Sequence, residues 1–365
     1  MLLSIPCTLI RGGTSKGPYF YAKDLPADPA ERDRVLLAAM GSPHARQIDG
    51  IGGGDTLTSK VVIVSPASRA DIDVDYLFAQ VSVETATVDT TPNCGNMLAG
   101  VGPFAIENGL VRATDPVTTL RILNVNTGKV VEAVIQTPGG VVSYDGLARI
   151  DGVPGNGAPI QLNFRDAAGA KTGRLLPTGK PLDVVDGVEV SCVDFSTPLV
   201  FVPAAAMGKT GYESKAELDA DRKLKSRLES VRLQVALMAG LGDVRDKVLP
   251  KIALVAPPQG EGVIASRYFT PWNCHSAYAV TGALCLAAAS IIPGSVVHRL
   301  ARPKASDPHL VTIEQPAGSL DIRLKVATDA AGAEPVILSA GLIRTARRLF
   351  RGTVHVPLCE PGQAA

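Results

Sequence analysis

The sequence predicts an α+β protein built from two similar lobes, and three observations carry that expectation. The chain has 365 residues, more than one ordinary core organises and comfortable for two domains of roughly 150 to 200 residues each. Short apolar runs separated by turn residues dominate it. Glycine (36) and proline (27) are abundant while aromatics make up only 4%, a composition of many short strands and turns. Finally, three blocks of the first half are answered in the same order by three blocks of the second.

In the first half, "RGGTSKG" (11–17) has the glycines, serine and lysine of a P-loop but in the wrong order. No strong helix follows, and "PYFYAKDLP" reads as strand and turn, so nucleotide binding is rejected. Arg11 with Thr14 and Ser15 would suit a carboxylate instead. Residues 29–40, "PAERDRVLLAAM", read as a helix. The stretch "DGIGGGDTLTS" (49–59), ending in Ser59, is either a loop that brings backbone N–H groups close to an anion or merely a flexible one. Lys60 then heads "KVVIV", a strand apolar on both faces. An ammonium at its mouth can be partly desolvated and drawn towards the pKa of a general base; a snorkelling surface lysine is the alternative. After the strand "DYLFAQVSV" comes "TTPNCGNMLAGVG". Here Asn93 is expected to cap a helix with Cys94 at its first position, running through Met97, Leu98, Val101, Phe104 and Ile106 to a stop at Asn108 and Gly109. The strands "TTLRILNV" and "KVVEAVIQTP" follow.

The lobe boundary is expected near residues 171–181, giving lobes of 1–177 and 178–365, with the last strands able to pack back on the first lobe. In the second half "PLVFVP" leads to a long amphipathic helix over 215–240 with i, i+4 charge pairs. The repeat then becomes visible. "LTSKVVIVSP" is matched by "VLPKIALVAP", "TTPNCGNMLAGVGPFAIENGL" by "FTPWNCHSAYAVTGALCLAAASIIPGS", and "LRILNVNTGKVVEAVI" by "LVTIEQPAGSLDIRLK". Each lobe thus has a lysine at the head of an apolar strand, Thr-Pro and Asn-Cys opening a helix, and a hairpin with a Gly turn. Asn273 and Cys274 repeat Asn93 and Cys94. Helix N-termini lower a thiol pKa and bind carboxylates through unpaired N–H groups. A single such cysteine reads as a small buried residue; its echo in the second lobe turns the reading towards chemistry. Cys7, Cys192, Cys285 and Cys359 have no such context and read as packing. After "PVILSAGLI" begins, "GLIRTARRLFRG" offers Arg344, Thr345 and Arg347 as a second anion clamp or as solvated helix charges.

Lys plus Arg (36) nearly cancel Asp plus Glu (35), so no basic field draws nucleic acid or anionic lipid and the partner is expected to be small. No charged leader or cleavage site opens the chain, and no window approaches about 18 apolar residues, so a cytoplasmic protein is expected. The six cysteines form no C-x-x-C pair, and the histidines have no H-x-x-x-H spacing. Neither a disulfide scaffold nor a metal site is expected.

Several of these motifs carry a family resemblance. "RGGTSKG", "QIDGIGGGDTLTSKVVIV", "NCGN", "AYAVTGA" and "RTARRLFRG" stand in order over roughly residues 5 to 355. They resemble the cofactor-independent isomerases of diaminopimelate-epimerase-like fold, and most closely the PrpF-type group of 2-methylaconitate isomerases, 3-methylitaconate isomerases and 4-oxalomesaconate tautomerases. "DLPADPAERDRVLLAAMGSP", "DVDYLFAQV", "RIDGVPG", "LLPTG" and "CH" after a "TP" turn look most like the oxalomesaconate branch. "AYAVTGALCLAAA" looks more like the methylaconitate branch. The resemblance implies lobes that each wrap a mostly antiparallel sheet around a central helix, with the site in the cleft where the helix N-termini meet. It implies proton transfer without metal or cofactor. Lys60 and Cys94 match the family's catalytic lysine and cysteine, and Cys274 matches the place of a second cysteine in the epimerases.

An unsaturated tricarboxylate must then lose an allylic or keto-adjacent proton and regain one elsewhere through a dienolate. The groups expected to hold its carboxylates are Arg11, Thr14, Ser15, Ser59, Asn93, the N–H groups of Gly95 and Asn96, His275, Ser276, Arg344 and Thr345. Two other readings stay open: a non-catalytic tricarboxylate-binding protein, and an amino-acid racemase with opposed thiols, for which no acidic pair is evident. A homodimer is possible.

Overall fold

The computed structural model describes residues 2–165, 167–270, 272–327 and 336–357; Cys359 lies outside them. The chain divides into two compact units, Met1–Leu162 with Ile343–Ala365, and Asn163–Leu342. The first division therefore falls before the 171–181 stretch rather than within it. The reason is Asp194, whose Oδ2 accepts from the backbone N–H groups of Lys171 and Thr172 (2.8 and 2.7 Å) and from the Thr172 hydroxyl (2.9 Å). That carboxylate fastens the segment to the second unit.

In the first unit, β1 (Leu2–Gly12) and β2 (Ser15–Tyr21) form an antiparallel pair. Helix α1 (Pro29–Met40) opens on Asp28, which accepts the Glu31 N–H, and closes on Gly41 at φ +75°, so the expected bounds hold. It crosses over so that β3 (Lys60–Pro66) runs parallel to β2, and β4 (Val74–Val81) returns antiparallel to β3. A short β5 (Val88–Asp89) pairs with β4. Helices α2 (Gly95–Leu98) and α3 (Val101–Glu107) form the second crossover. They lead to β6 (Val117–Asn124), parallel to β4, and to its antiparallel partner β7 (Lys129–Gln136). Strand β8 (Ile160–Arg165) then leads into the second unit.

The second unit holds β9 (Asp183–Val185), β10 (Val188–Phe195), β11 (Thr197–Pro203), α4 (Lys215–Ala220), α5 (Arg222–Met238), β12 (Lys251–Ala256), β13 (Ile264–Phe269), α6 (Val280–Ser290), α7 (Val296–Leu300), β14 (Leu310–Gln315) and β15 (Gly318–Val326). The helix expected over 215–240 is thus two. Asp221 ends α4 and caps α5 by accepting the Leu224 N–H, while Ser214 and Glu217 form a capping box on α4, a local alternative that outcompetes continuous helix. Strands β16 (Ile337–Arg344) and β17 (Ala346–Pro357) follow, so "GLIRTARRLFRG" is extended rather than helical. Strand β17 lies antiparallel to β1 from Leu2↔Pro357 to Gly12↔Ala346.

Both units follow one plan, and the repeat reaches further than its three sequence blocks. Thr8↔Tyr19 in β1–β2 has its counterpart in Ser191↔Phe201, and the parallel contact Tyr19↔Val62 in Phe201↔Ala253. Val62↔Phe78 matches Ala253↔Tyr268, and Val74↔Ile122 matches Ile264↔Ile313. Each sheet is mixed, because every helical crossover leaves a parallel pair. Each wraps a buried helical segment. All eleven residues of α6 are buried, as are residues 94–105 around α2 and α3. No helix among the described residues is long and apolar enough to cross a membrane.

Candidate active site

Lys60 stands at the mouth of β3, where Val61 to Val64 are buried on both faces. Its backbone is pressed against β2: a Cβ on Gly17 would fall 1.7 Å from the Lys60 carbonyl oxygen, so only glycine lets the two strands close there. The ammonium lies over the Phe78 ring, 5.2 Å from its centroid, and Nζ reaches Cys94 Sγ at 3.7 Å. The two residues matched to the family's catalytic lysine and cysteine are therefore in hydrogen-bonding contact.

Cys94 is placed differently from the expectation. Asn93 does not cap; Cys94 is itself the N-cap, at φ −138° and ψ 101°, and α2 makes one turn before the chain continues through Ala99 and Gly100 into α3. The first-turn N–H groups of Gly95 and Asn96 have no acceptor within the helix. Two phenols hold this turn. Tyr76 Oη donates to the Cys94 carbonyl at 2.9 Å, and Tyr19 Oη donates to the Met97 carbonyl. Both tyrosines are fully buried. Burial first, and then the charge a Cys94 thiolate carries, raises both well above the ordinary phenol value. They stay protonated donors.

Around this turn the structure gathers most of the anion-binding candidates. Asn96 Nδ2 donates to Thr14 Oγ1 at 3.0 Å, and Arg344 Nε donates to Asn96 Oδ1 at 3.1 Å. Arg11 Nη1 donates to the Thr345 carbonyl (2.6 Å) and hydroxyl (2.8 Å), and the Gly13 N–H donates to the same carbonyl at 3.0 Å. Gly13, at φ +53°, leaves room for Asn96: a Cβ there would lie 2.2 Å from Asn96 Oδ1. Ser15 is buried and its Oγ has no hydrogen-bond partner among the described residues. Among the described residues Lys60, Arg11 and Arg344 have no carboxylate partner; the protein acceptors of both guanidinium groups are neutral oxygens. Burial lowers Arg344 to about 10 and is also the first cause lowering Arg11, followed by the nearby Arg347 charge. Three uncompensated cations with neutral donors make a site for a multiply charged anion.

Other candidates go elsewhere. Ser59 is fully buried, donates to the Val81 carbonyl (2.8 Å) and accepts from Gln47 Nε2 (2.7 Å); its hydroxyl serves the fold. The glycine loop is no anion cradle. The N–H groups of Gly50, Ile51, Gly52 and Gly53 donate to the carbonyls of Gln47, Ala39, Met40 and Thr58, and that of Gly54 donates to Gln47 Oε1. Cys274, His275 and Ser276 belong to the second unit, and Asn273 caps no helix. They follow a tight turn closed by the Phe269↔Cys274 bridge, and α6 begins only after its N-cap, Ala279. The Cys274 N–H donates to Asp219 Oδ1 (2.6 Å), and desolvation, then Asp219, pushes its thiol up to about 12. His275 Nδ1 accepts the Ala277 N–H at 2.9 Å, and Ser276 is exposed. Among the described residues no three His, Cys, Asp or Glu side chains gather as a metal site.

Sequence reasoning missed Tyr19, Tyr76, Phe78 and Gln47. The available signal was the phenols inside the apolar strands "PYFY" and "VDYLFAQV", since a buried tyrosine hydroxyl needs a partner.

Residues 2–357 match the family model described as PrpF protein. The chain belongs to the PrpF family. Among curated relatives, it is 52% identical to YbhH of Escherichia coli (strain K12), provisionally named an isomerase, over 97% of this chain and 99% of that one. It is 50% identical to the 4-oxalomesaconate tautomerase of Pseudomonas putida over 96% of each chain. It is also 50% identical to the (4E)-oxalomesaconate Delta-isomerase of Novosphingobium over 97% and 98%. The crystal structure of a methylitaconate-delta-isomerase superposes with a TM-score of 0.84 at 37% identity, covering 100% and 99% of the two chains. A hydroxyproline epimerase from Agrobacterium vitis, 13% identical with a TM-score of 0.55 over 98% and 93%, shares the fold. This PrpF chain is an isomerase.

Proposed function

We propose that the chain interconverts the keto and enol forms of 4-oxalomesaconate, with Lys60 and Cys94 as the acid/base pair. The observation that carries the reading is the 3.7 Å contact between Nζ and Sγ, in the same unit as two guanidinium groups, Arg11 and Arg344, that have no carboxylate partner among the described residues. The 50% identity to a 4-oxalomesaconate tautomerase supports the substrate. The carbon next to the ketone gives its proton to Lys60 in its neutral amine form or to a Cys94 thiolate, and the electron pair spreads into a dienolate. Returning a proton to the former ketone oxygen completes the enol, with the three carboxylates unchanged. The N–H groups of Gly95 and Asn96, with Arg11, Thr14, Ser15, Arg344 and Thr345, hold the carboxylates and the developing oxyanion. Cys274, with its thiol protonated and tied into its own turn, has no part in this reading.

The test incubates the protein with 4-oxalomesaconate and with 2-methylaconitate in D₂O and follows both by NMR, with keto to enol conversion read in parallel by ultraviolet absorbance. Conversion of the oxo acid, and a loss of about 100-fold or more in kcat for Lys60→Ala and for Cys94→Ser, are expected. Faster turnover of 2-methylaconitate would move the substrate to the other branch of the family. Near wild-type turnover by either variant would sink the pair.

A further inference from the structure

We infer that Tyr76, braced by Tyr19, is a positioning residue that holds the Cys94 thiol against Lys60. The inference rests on the acid/base reading of that pair. The Tyr76 hydroxyl donates to the carbonyl of Cys94 itself, a carbonyl that also accepts the Leu98 N–H at 3.0 Å. The turn so held is only four residues long and has no side-chain cap. Short helices are marginal without tertiary support, so the backbone of Cys94 is located chiefly by these contacts. Tyr19 secures the other end through the Met97 carbonyl and packs in the space left by Gly12 and Gly100, where a Cβ would come within 2.9 and 2.4 Å of its hydroxyl.

The second unit supplies an independent comparison. By strand register, Tyr19 corresponds to Phe201, since each sits across the parallel pair from Val62 or its equivalent Ala253. Tyr76 corresponds to Ser266, because Val64↔Tyr76 is matched by Val255↔Ser266. The N-cap of α6 that stands in the place of Cys94 is Ala279. Both phenols are thus present in the lobe whose helix N-cap is a cysteine and absent from the same positions of the lobe whose N-cap is an alanine. A purely architectural need would apply to both lobes. In the second, Ser266 is instead hydrogen-bonded to Tyr278, 3.0 Å away, and donates to the Leu254 carbonyl.

The experiment compares Tyr76→Phe, Ser266→Ala and the unaltered chain in three readouts: kcat and KM, the pH dependence of Cys94 alkylation by iodoacetamide followed by peptide mass spectrometry, and thermal unfolding. Phenylalanine keeps the ring and the packing, so Tyr76→Phe is expected to fold. It should lower kcat about tenfold, the worth of one hydrogen bond expressed at the reacting group, with KM within about twofold. It should also move the midpoint of the Cys94 alkylation profile upwards, as the thiolate loses its fixed ammonium neighbour. Ser266→Ala should leave kcat and that midpoint unchanged. An unmoved midpoint and kcat in Tyr76→Phe, or equal shifts in both variants, would overturn the inference. Alkylation does not require turnover. If Cys94→Ser proves fully active, the acid/base reading fails while the alkylation midpoint still reports whether Tyr76 places the thiol.

Discussion

At the scale of single residues, the site is defined by charges left uncompensated. Arg344 is buried with only neutral acceptors among the described residues, and burial alone lowers its guanidinium to about 10. A base whose folded pKa lies below its unfolded value costs stability while charged. The unfolded chain binds more protons over that window, so the cost is relieved as pH rises from about 10 towards the ordinary value. On the proposed reading such a residue is retained for a ligand rather than for folding. Arg344→Met is therefore expected to raise KM for the tricarboxylate about 10- to 100-fold without lowering the melting temperature. A variant that melts early but binds normally would assign Arg344 to the fold. Cys274 is the opposite case, a thiol held protonated by burial and by Asp219. Cys274→Ala should keep turnover within about threefold, where Cys94→Ser does not. The sequence placed both cysteines after an asparagine and read both as helix starts. The motif cannot distinguish an N-cap from a strand turn five residues upstream of one, because what decides is the tight turn at the end of β13 closed by the Phe269↔Cys274 pairing.

At the scale of elements, the loop between α1 and β3 is organised by Gln47, a buried side chain at φ +46°. Its Nε2 donates to Ser42 Oγ (2.9 Å) and Ser59 Oγ (2.7 Å), and its Oε1 accepts the Gly54 N–H (2.9 Å). This knot fixes the residue immediately before Lys60. Gln47→Ala leaves these groups unpaired and should destabilise the chain by about 2 to 3 kcal/mol in urea unfolding; a cost below about 0.5 kcal/mol would show that the loop is held by its backbone bonds alone. Ser59→Ala should keep KM within about twofold, because its hydroxyl is already used internally. Periodicity and end signals served well where an element is locally determined. Helix α1 has its cap, its first-turn proline and its terminal glycine in the sequence, and β3 begins at its lysine. They failed at Asp221, where a local cap divides one amphipathic stretch into two helices, and at Gln47, whose partners are scattered over 42–59 and carry no motif.

At the scale of the whole molecule, duplication made the architecture legible, since three matched blocks fix the order of strand, helix and hairpin in each lobe. The return of the last strands to the first lobe was expected from the sequence and is what the structure shows, but the three blocks did not give its register, because β17 belongs to none of them and its partner β1 lies at the other end of the chain. The structure makes that return a condition for the first unit. Val354 and Val356 of β17 belong to the same core cluster as Ile5, Cys7, Phe20 and Leu36. Strand β1 pairs with β17 along its whole length but with β2 only from Thr8 to Gly12. A chain ending after Thr345 keeps Arg344 and Thr345 but removes β17, exposing the edge of β1 and opening that core. The second unit, whose cluster spans Val185 to Cys274, contains none of those residues. Limited proteolysis of the shortened chain should therefore degrade residues 1–162 while a fragment within 163–342 persists, and turnover should vanish together with the Lys60–Cys94 contact. Equal resistance of both units would show that β1 holds the first core through β2 alone.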